Sequence, residues 1–437
     1  MPVSPARRLA LDVLLAVDAG GYASDLLHSS RSRGLERRDL RLATELVMGT
    51  LRWQAQLDFV LTRAAGRGLA HSAPAALAAL RLGAYQLRFL DRVPAVAAVH
   101  ESVEMAKAAG RGAAGFVNAV LRHLPLAPIE TLLAGEPDWE RRRALELSHP
   151  AWLLRRWSQQ FGAERAQAVA VYDNAPPPTA VRGPGLAALP PPITLVPGQL
   201  LADARRVASG DVTQTDPWRR GQVRIQDEAS QLMAYLLAPQ PGERVLDLCA
   251  APGGKAATLL ELAPQAQLTA LELHPLRARR LRRLLPPAAA VVVADATRPL
   301  PLRGQFERIL VDAPCSGTGT LARNPEIRWR LRPSDPARLQ RLQFALLRQA
   351  LAVLAPGGRL VYSVCSIEPE EGEQVMQNLL GADSGVDVVR IGAALEPWVS
   401  SGAVRAELQA ATTGEFLRIF PGQWATDGFF AAVLERD

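Results

Sequence analysis

The stretch from Glu243 to Lys255, Glu-Arg-Val-Leu-Asp-Leu-Cys-Ala-Ala-Pro-Gly-Gly-Lys, constrains the fold more than any other part of this chain. Val245, Leu246 and Leu248 make a short apolar run between turn formers, the pattern of a strand buried in a parallel sheet. Ala250, Ala251, Pro252, Gly253 and Gly254 follow as a tight loop of small residues, and Ala256 to Leu262 reads as the next helix. A strand running through such a loop into a helix N-terminus lets backbone N–H groups approach a ligand. A Gly-Gly loop alone is only a turn. This one gains weight because strands ending in acidic residues recur downstream.

From residue 243 the β and α patterns alternate. Gln267 to Leu273, Ala290 to Ala294, Phe306 to Val311 and Leu360 to Val364 are strand-like. Helical patterns fall at Pro275 to Leu285, from about Pro336 to Leu354, and from near Glu368. Phe416 to Phe420 and Gly428 to Leu434 read as a closing hairpin. This predicts a doubly wound α/β sheet with an antiparallel finish.

Residues 5–125 show only helical spacing, with Pro94 and Gly110 as punctuation and helices expected over 7–19, 36–65, 74–90, 95–109 and 113–124. Arg31, Arg33, Arg37, Arg38 and Arg41 form a basic cluster, either a solvated face or one that contacts phosphates. Helical signals continue over 137–172. Residues 174–216 are rich in Pro and Gly yet too apolar for a linker, so a small α+β element is expected there. Val223 to Leu237 reads as a helix leading into the organising strand.

At 437 residues the chain calls for more than one core. The expected division is an all-helical domain over 1–135, a small α+β region over 136–222 and the α/β domain over 223–437. No apolar run is long enough to span a bilayer, and residues 1–20 lack the pattern of a signal peptide. Cys249, Cys315 and Cys365 make neither a disulfide framework nor a zinc pattern, so no metal is expected. These readings predict a soluble, cytoplasmic protein, taken to be a monomer, without a membrane partner. A net charge of +7 suits a polyanionic partner. Of the 50 basic residues only Lys107 and Lys255 are lysines, which draws attention to the lysine kept inside the glycine loop.

Glu272, Asp295 and Asp312 stand at or just past successive strand ends. Strand ends in an open parallel sheet converge on one crevice, where Glu272 is placed for ribose hydroxyls and Asp295 for an adenine amino group. Any one of them could instead cap a turn. Two more clusters are Asp312-Ala-Pro-Cys-Ser-Gly-Thr-Gly319 and Tyr362-Ser-Val-Cys-Ser366. Cysteines at neighbouring strand ends suggest nucleophilic chemistry, although a free cysteine is more often a small buried hydrophobe. Cys249 fits the latter description; Cys315 and Cys365, set among polar residues and glycines, fit it poorly. The residues themselves leave open which of the two attacks.

The N-terminal patterns Arg7-Arg8-Leu-Ala, Glu36-Arg37-Arg38-Asp39, Leu80 to Leu87 and Phe116 to Leu121 resemble the NusB-type antitermination factor, an all-helical RNA-binding fold. Residues 220–435 resemble the RNA cytosine-C5 methyltransferases, in the ribosomal small-subunit branch called Sun or Fmu. That likeness is carried by Cys249 to Lys255, Asp312 to Gly317, Arg323-Asn-Pro-Glu-Ile-Arg-Trp329, Cys365-Ser366 and Asp427-Gly-Phe-Phe430. It implies a Rossmann-like methyltransferase sheet, S-adenosyl-L-methionine as methyl donor and 16S ribosomal RNA as partner. In that pattern Cys249, Ala250, Ala251, Pro252, Gly253, Gly254 and Lys255 hold the amino-acid end of the donor. Glu272 takes the ribose, Asp295 the adenine and Asp312 the edge nearest the substrate. The resemblance further implies that the Cys365 thiolate adds to C6 of cytosine, C5 takes the methyl group and Cys315 assists release. DNA cytosine methyltransferases instead use the cysteine after a proline, here Cys315. The sequence departs from the family at Glu272, usually Asp, and at Val364, usually Thr. Competing expectations are a methyltransferase acting on another RNA and a non-catalytic RNA-binding or antitermination factor. The intact Lys255, Asp312, Cys315 and Cys365 speak against the last.

Overall fold

The N-terminal periodicities fold as helices over Pro5–Asp18, Arg37–Arg52, Gln54–Ala65, Pro74–Phe89, Ala95–Ala106 and Ala113–Arg122. Pro5 and Pro74 occupy the first turn of their helices, where a missing N–H leaves no bond unmade. The computed structural model describes residues 3–29, 34–110, 112–382, 385–412 and 414–437, so Arg31 and Arg33 of the basic cluster lie outside the described residues. Arg37, Arg38 and Arg41 are exposed along the helix that begins at Arg37. The single helix expected over 36–65 is two, separated at Trp53, where ψ turns to 15°. The Trp53 ring stacks on Phe89 with centroids 5.2 Å apart, an apolar contact that helical spacing does not foresee. Leu46, Leu57, Leu61, Leu80 and Leu82 are fully buried and form the centre of this helical core.

The chain divides into two compact units: residues 1–176 with 321–331, and residues 177–320 with 332–437. The stretch expected as one small region, 136–222, is therefore split. Its helices Trp139–Glu146, Ala151–Phe161 and Ala163–Asp173 belong with the helical unit. Its strands belong with the α/β unit. Distant contacts decide this: Gln56 Nε2 donates to Glu146 O and Arg328 to Asp173 O in the helical unit, and Arg206 donates to Trp424 O in the other.

Residues 321–331 also belong to the helical unit, and hydrogen bonds explain why. The fully buried Arg328 guanidinium donates to Ser148 O at 3.1 Å, Asp173 O at 3.0 Å and Asn174 Oδ1 at 2.8 Å. Trp329 Nε1 donates to Leu51 O at 2.7 Å, and the Ala23 N–H donates to Glu326 Oε1 at 2.9 Å.

In the α/β unit, β1 (Ala180–Arg182), β2 (Thr194–Pro197), β3 (Arg205–Ser209) and β4 (Arg224–Ile225) form an antiparallel sheet in the order β2-β3-β1-β4. The helix expected from Val223 begins only at Glu228, because Asp227 caps it by accepting from Ala229 N at 2.9 Å. The residues before the cap pair with β1 instead.

The larger sheet contains β5 (Arg244–Asp247), β6 (Gln267–Glu272), β7 (Ala290–Val293), β8 (Phe306–Asp312), β9 (Leu354–Val364), β10 (Val386–Val389), β11 (Leu417–Ile419) and β12 (Phe429–Arg436). Its order is β10-β12-β9-β8-β5-β6-β7, with β11 on β12; β5 to β9 are parallel, and β12 is antiparallel to its neighbours. The expected hairpin is present as β11 and β12, but β10, which the sequence reading passed over, forms the sheet edge. Val245, Ala270, Leu310 and Val361 pack into one core and Leu246, Leu271, Ile309 and Leu360 into another, as side chains alternating across a sheet covered on both faces must. Strand order reverses at β5 and β8, and there an open α/β sheet leaves a crevice beyond its C-terminal strand ends. Among the described residues no helix is long and apolar enough to cross a membrane, and no cluster of three or more His, Cys, Asp or Glu is placed to hold a metal ion.

Candidate active site

The glycine loop leaves β5 at Asp247 and enters the helix Gly254–Leu262. Gly253 has φ +109°, a conformation that favours glycine, and a Cβ there would press on Leu284 Cδ2 at 2.7 Å. The neighbouring strands hold the loop: Leu248 N donates to Leu310 O and Ala250 N to Leu271 O, each at 2.9 Å. Lys255 follows in the first turn. Its Nζ donates to Asp312 Oδ2 at 2.7 Å and lies 5.2 Å from the centroid of the Phe429 ring. Burial works against the ammonium, but Asp312, Cys365 and Asp247 outweigh it and raise the Lys255 pKa. Ser363 Oγ donates to Asp312 Oδ1 at 2.8 Å across the register of β8 and β9. Asp312 is thereby held by two side chains at the end of its strand.

Cys315 and Cys365 come from the loops after β8 and β9, and their Sγ atoms lie 3.3 Å apart. The bond to Cys365 and burial raise the Cys315 pKa well above the ordinary thiol value. The backbone keeps the two loops in register. Gly319 N donates to Cys365 O at 3.1 Å, and Gly428 N donates to Gly319 O at 2.7 Å. A Cβ on Gly319 would sit 2.1 Å from Gly428 O, so the chains cross where only glycine fits. This crossing accounts for Gly319 in the first motif and Gly428 in the second.

Cys249 also ends at this edge of the sheet; burial and the nearby Asp247 push its thiol pKa up. Glu272 is buried at the end of β6, with Oε1 accepting from His274 N at 2.8 Å. Asp295, past the end of β7, is half-exposed. Its Oδ1 accepts from Thr297 N at 3.0 Å and Thr297 Oγ1 at 2.6 Å, and these bonds lower its pKa. It therefore caps its own turn, while Oδ2 lies 3.5 Å from Arg298. Val364 is fully buried in the same apolar cluster as Leu360 and Tyr362, on the alternate face of β9 from Ser363.

Three groups escaped the sequence reading. Asp247 is 1% exposed, and neither carboxylate oxygen has a well-formed hydrogen bond among the described residues. Burial, and Asp312 after it, push its pKa up to about 7. Gln226 is buried against Gly254, and its Nε2 likewise lacks a partner among the described residues. An orphaned acceptor and an orphaned donor beside one glycine loop fit the ammonium and carboxylate of an amino-acid ligand. Asp247 was legible as the last residue of its strand, in the place Asp312 has on β8. The third group, Glu371, stood in the acidic run Glu368 to Glu373 and read only as a helix start.

Residues 234–435 match the family described as 16S rRNA methyltransferase RsmB/F, and residues 4–125 match the NusB family. The chain is 33% identical to the Bacillus subtilis protein named Probable ribosomal RNA small subunit methyltransferase B, with all of both chains covered. It is 34% identical to Ribosomal RNA small subunit methyltransferase B of Vibrio cholerae, over 96% of this chain and 94% of that one. Among solved structures it resembles PH0851 at a TM-score of 0.83 and 22% identity, covering all of both chains. A methyltransferase homolog protein from Pyrococcus horikoshii aligns at a TM-score of 0.54 and 27% identity, over 68% of this chain and 98% of that one.

Proposed function

The chain belongs to the ribosomal RNA small subunit methyltransferase B family, and from that premise we propose that it methylates C5 of a cytosine in 16S ribosomal RNA, with S-adenosyl-L-methionine as donor. The observation that carries this reading is the sulfur pair, Cys315 and Cys365 at 3.3 Å, beside the Lys255–Asp312 ion pair. Two thiols in contact suit a reaction in which one sulfur bonds to a ring and the other helps to undo that bond. When bound, the donor supplies an electrophilic methyl group on a sulfonium. The glycine loop with Asp247 and Gln226 holds its amino-acid end, Glu272 faces its ribose and Asp295 its adenine. Asp312 and Lys255 border the target base, which must leave its stack to enter such a site.

Cys365 is the attacking group. The Cys315 thiol, its pKa raised, keeps its proton 3.3 Å from Cys365 Sγ, and the Lys255 ammonium lies close to Cys365. Forming the bond from Cys365 Sγ to C6 pushes electron density onto C5, which would then take the methyl group as the methyl–sulfur bond breaks and leaves its electron pair on the donor sulfur. The C5 proton must next leave so that the S–C6 bond can break and return the electron pair to Cys365. While Cys365 is bonded to the base it no longer stabilises the Cys315 proton, and the largest cause of the raised Cys315 pKa is gone. Cys315, 3.3 Å from the attacking sulfur, is the group placed to take the C5 proton once its own has left.

Cys365→Ala is expected to abolish transfer and yield no adduct. Cys315→Ala is expected to transfer the methyl group and then stall as a protein–RNA species that survives denaturation. A denaturing gel with labelled RNA and donor tests both. An adduct in Cys365→Ala and none in Cys315→Ala would reverse the two roles.

A further inference from the structure

Beneath the cysteine pair lies a buried carboxylate to which the chemistry above gives no part. Glu371 is fully buried beyond the end of β9. Its Oε1 accepts from Ser316 N at 2.8 Å and Gln343 Nε2 at 3.0 Å. Its Oε2 accepts from Ser366 Oγ at 2.6 Å and from Ser316 Oγ. Ser316 follows Cys315, and Ser366 follows Cys365. One carboxylate thus grips the residue next to each sulfur, and its own carbonyl accepts from Tyr362 OH at 2.6 Å, fastening it to β9. Ser316 Oγ and Ser366 Oγ are also 3.0 Å apart, and Thr318 Oγ1 accepts from Ile367 N at 3.1 Å.

We propose that Glu371 is a positioning residue that sets the Cys315–Cys365 spacing by holding the residues next to both cysteines. This rests on the proposed roles of the two sulfurs. Four donors converge on two carboxylate oxygens, so the acceptor capacity of the group is filled. A side chain spent in this way is a fixed joint between two loops. Burial raises its pKa while the bonds from Ser316, Ser366 and Gln343 lower it.

Glu371→Gln keeps an acceptor for Ser316 N, and its amide group is able to donate to the serine hydroxyls; Glu371→Ala removes every bond. If Glu371 positions, the Ala variant should lose about 100-fold in kcat, the scale of an ångström misplacement of reacting groups. KM for S-adenosyl-L-methionine should stay near the wild-type value. The Gln variant should retain most of kcat with the wild-type pH profile. If Gln falls as far as Ala and one limb of its pH profile moves, Glu371 carries a proton and the positioning role is overturned. A second readout needs no turnover. Alkylation of the free protein by iodoacetamide, followed by mass spectrometry, reports the reactivity of each cysteine. Glu371→Ala should change the Cys315 to Cys365 ratio and leave Cys249 unchanged, and Glu371→Gln should restore the wild-type ratio. An unchanged ratio in Glu371→Ala overturns the proposal even if the protein proves to methylate another RNA. A changed ratio in a chain that forms no RNA adduct would sink the proposed chemistry and leave the joint standing.

Discussion

Asp247 is the residue with the sharpest pH consequence. Burial and Asp312 hold its pKa up to about 7, against the ordinary 3.8 of an aspartate. At pH 6 the free protein therefore carries Asp247 mostly protonated. A ligand ammonium docking there favours the carboxylate and expels the proton. Under the proposed function, affinity for S-adenosyl-L-methionine should rise about fivefold as pH rises from about 6 to 7 and about twofold more above. Titration calorimetry in buffers of different ionisation heat should show proton release near pH 6. Asp247→Asn should weaken binding and flatten the profile. Wild-type binding that is equally tight at both pH values, with no proton released, would remove Asp247 from the donor site.

At the scale of elements, the helical unit owes its hold on residues 321–331 to a buried cluster of Arg328, Asp173 and His149. Burial and Arg328 keep the His149 pKa well below its ordinary value, so its contribution to stability exists above about pH 6.5 and is lost as pH falls. Burial pushes Asp173 up to about 7, so its contribution is present at low pH and is lost as pH rises toward that value. The two slopes oppose each other as pH falls below about 6.5. Asp173→Asn removes one of them. Its unfolding free energy should then fall more steeply than the wild type's as pH drops from about 7 to 5, by up to about 1.4 kcal/mol per pH unit. Scanning calorimetry of both proteins measures this, and parallel profiles would mean that Asp173 does not titrate with folding.

For the whole molecule, two compact units drawn from interleaved sequence make truncation informative. A chain cut to residues 177–437 keeps both sheets and the residues assigned to the donor, but Leu321–Leu331 loses the carbonyls and apolar surface that bury it. Such a chain should still bind S-adenosyl-L-methionine. Trypsin should cut it after Arg323, Arg328 or Arg330 much faster than it cuts the intact chain, where Arg328 is fully buried. Limited proteolysis with mass spectrometry reads the sites. Equal resistance in both chains would show that the segment does not depend on the helical unit.

The sequence by itself determined the helical N-terminal region, the order of the βα units and the gathering of Lys255, Asp312, Cys315 and Cys365 at the C-terminal end of the parallel strands. Those follow from period and register: apolar spacing selects helix or strand, and parallel strands carry their C-terminal residues to a common side. Tertiary structure alone decided where residues 136–222 divide, that Leu321–Leu331 packs with the helices, and that β10 closes the sheet. Each depends on partners far away in the chain, which local spacing does not specify. The same holds for Glu371, whose role rests on four donors from three separate segments. Asp295 shows the converse. Its place after a strand was legible, yet the bonds to Thr297 that engage it appeared only once the turn was folded.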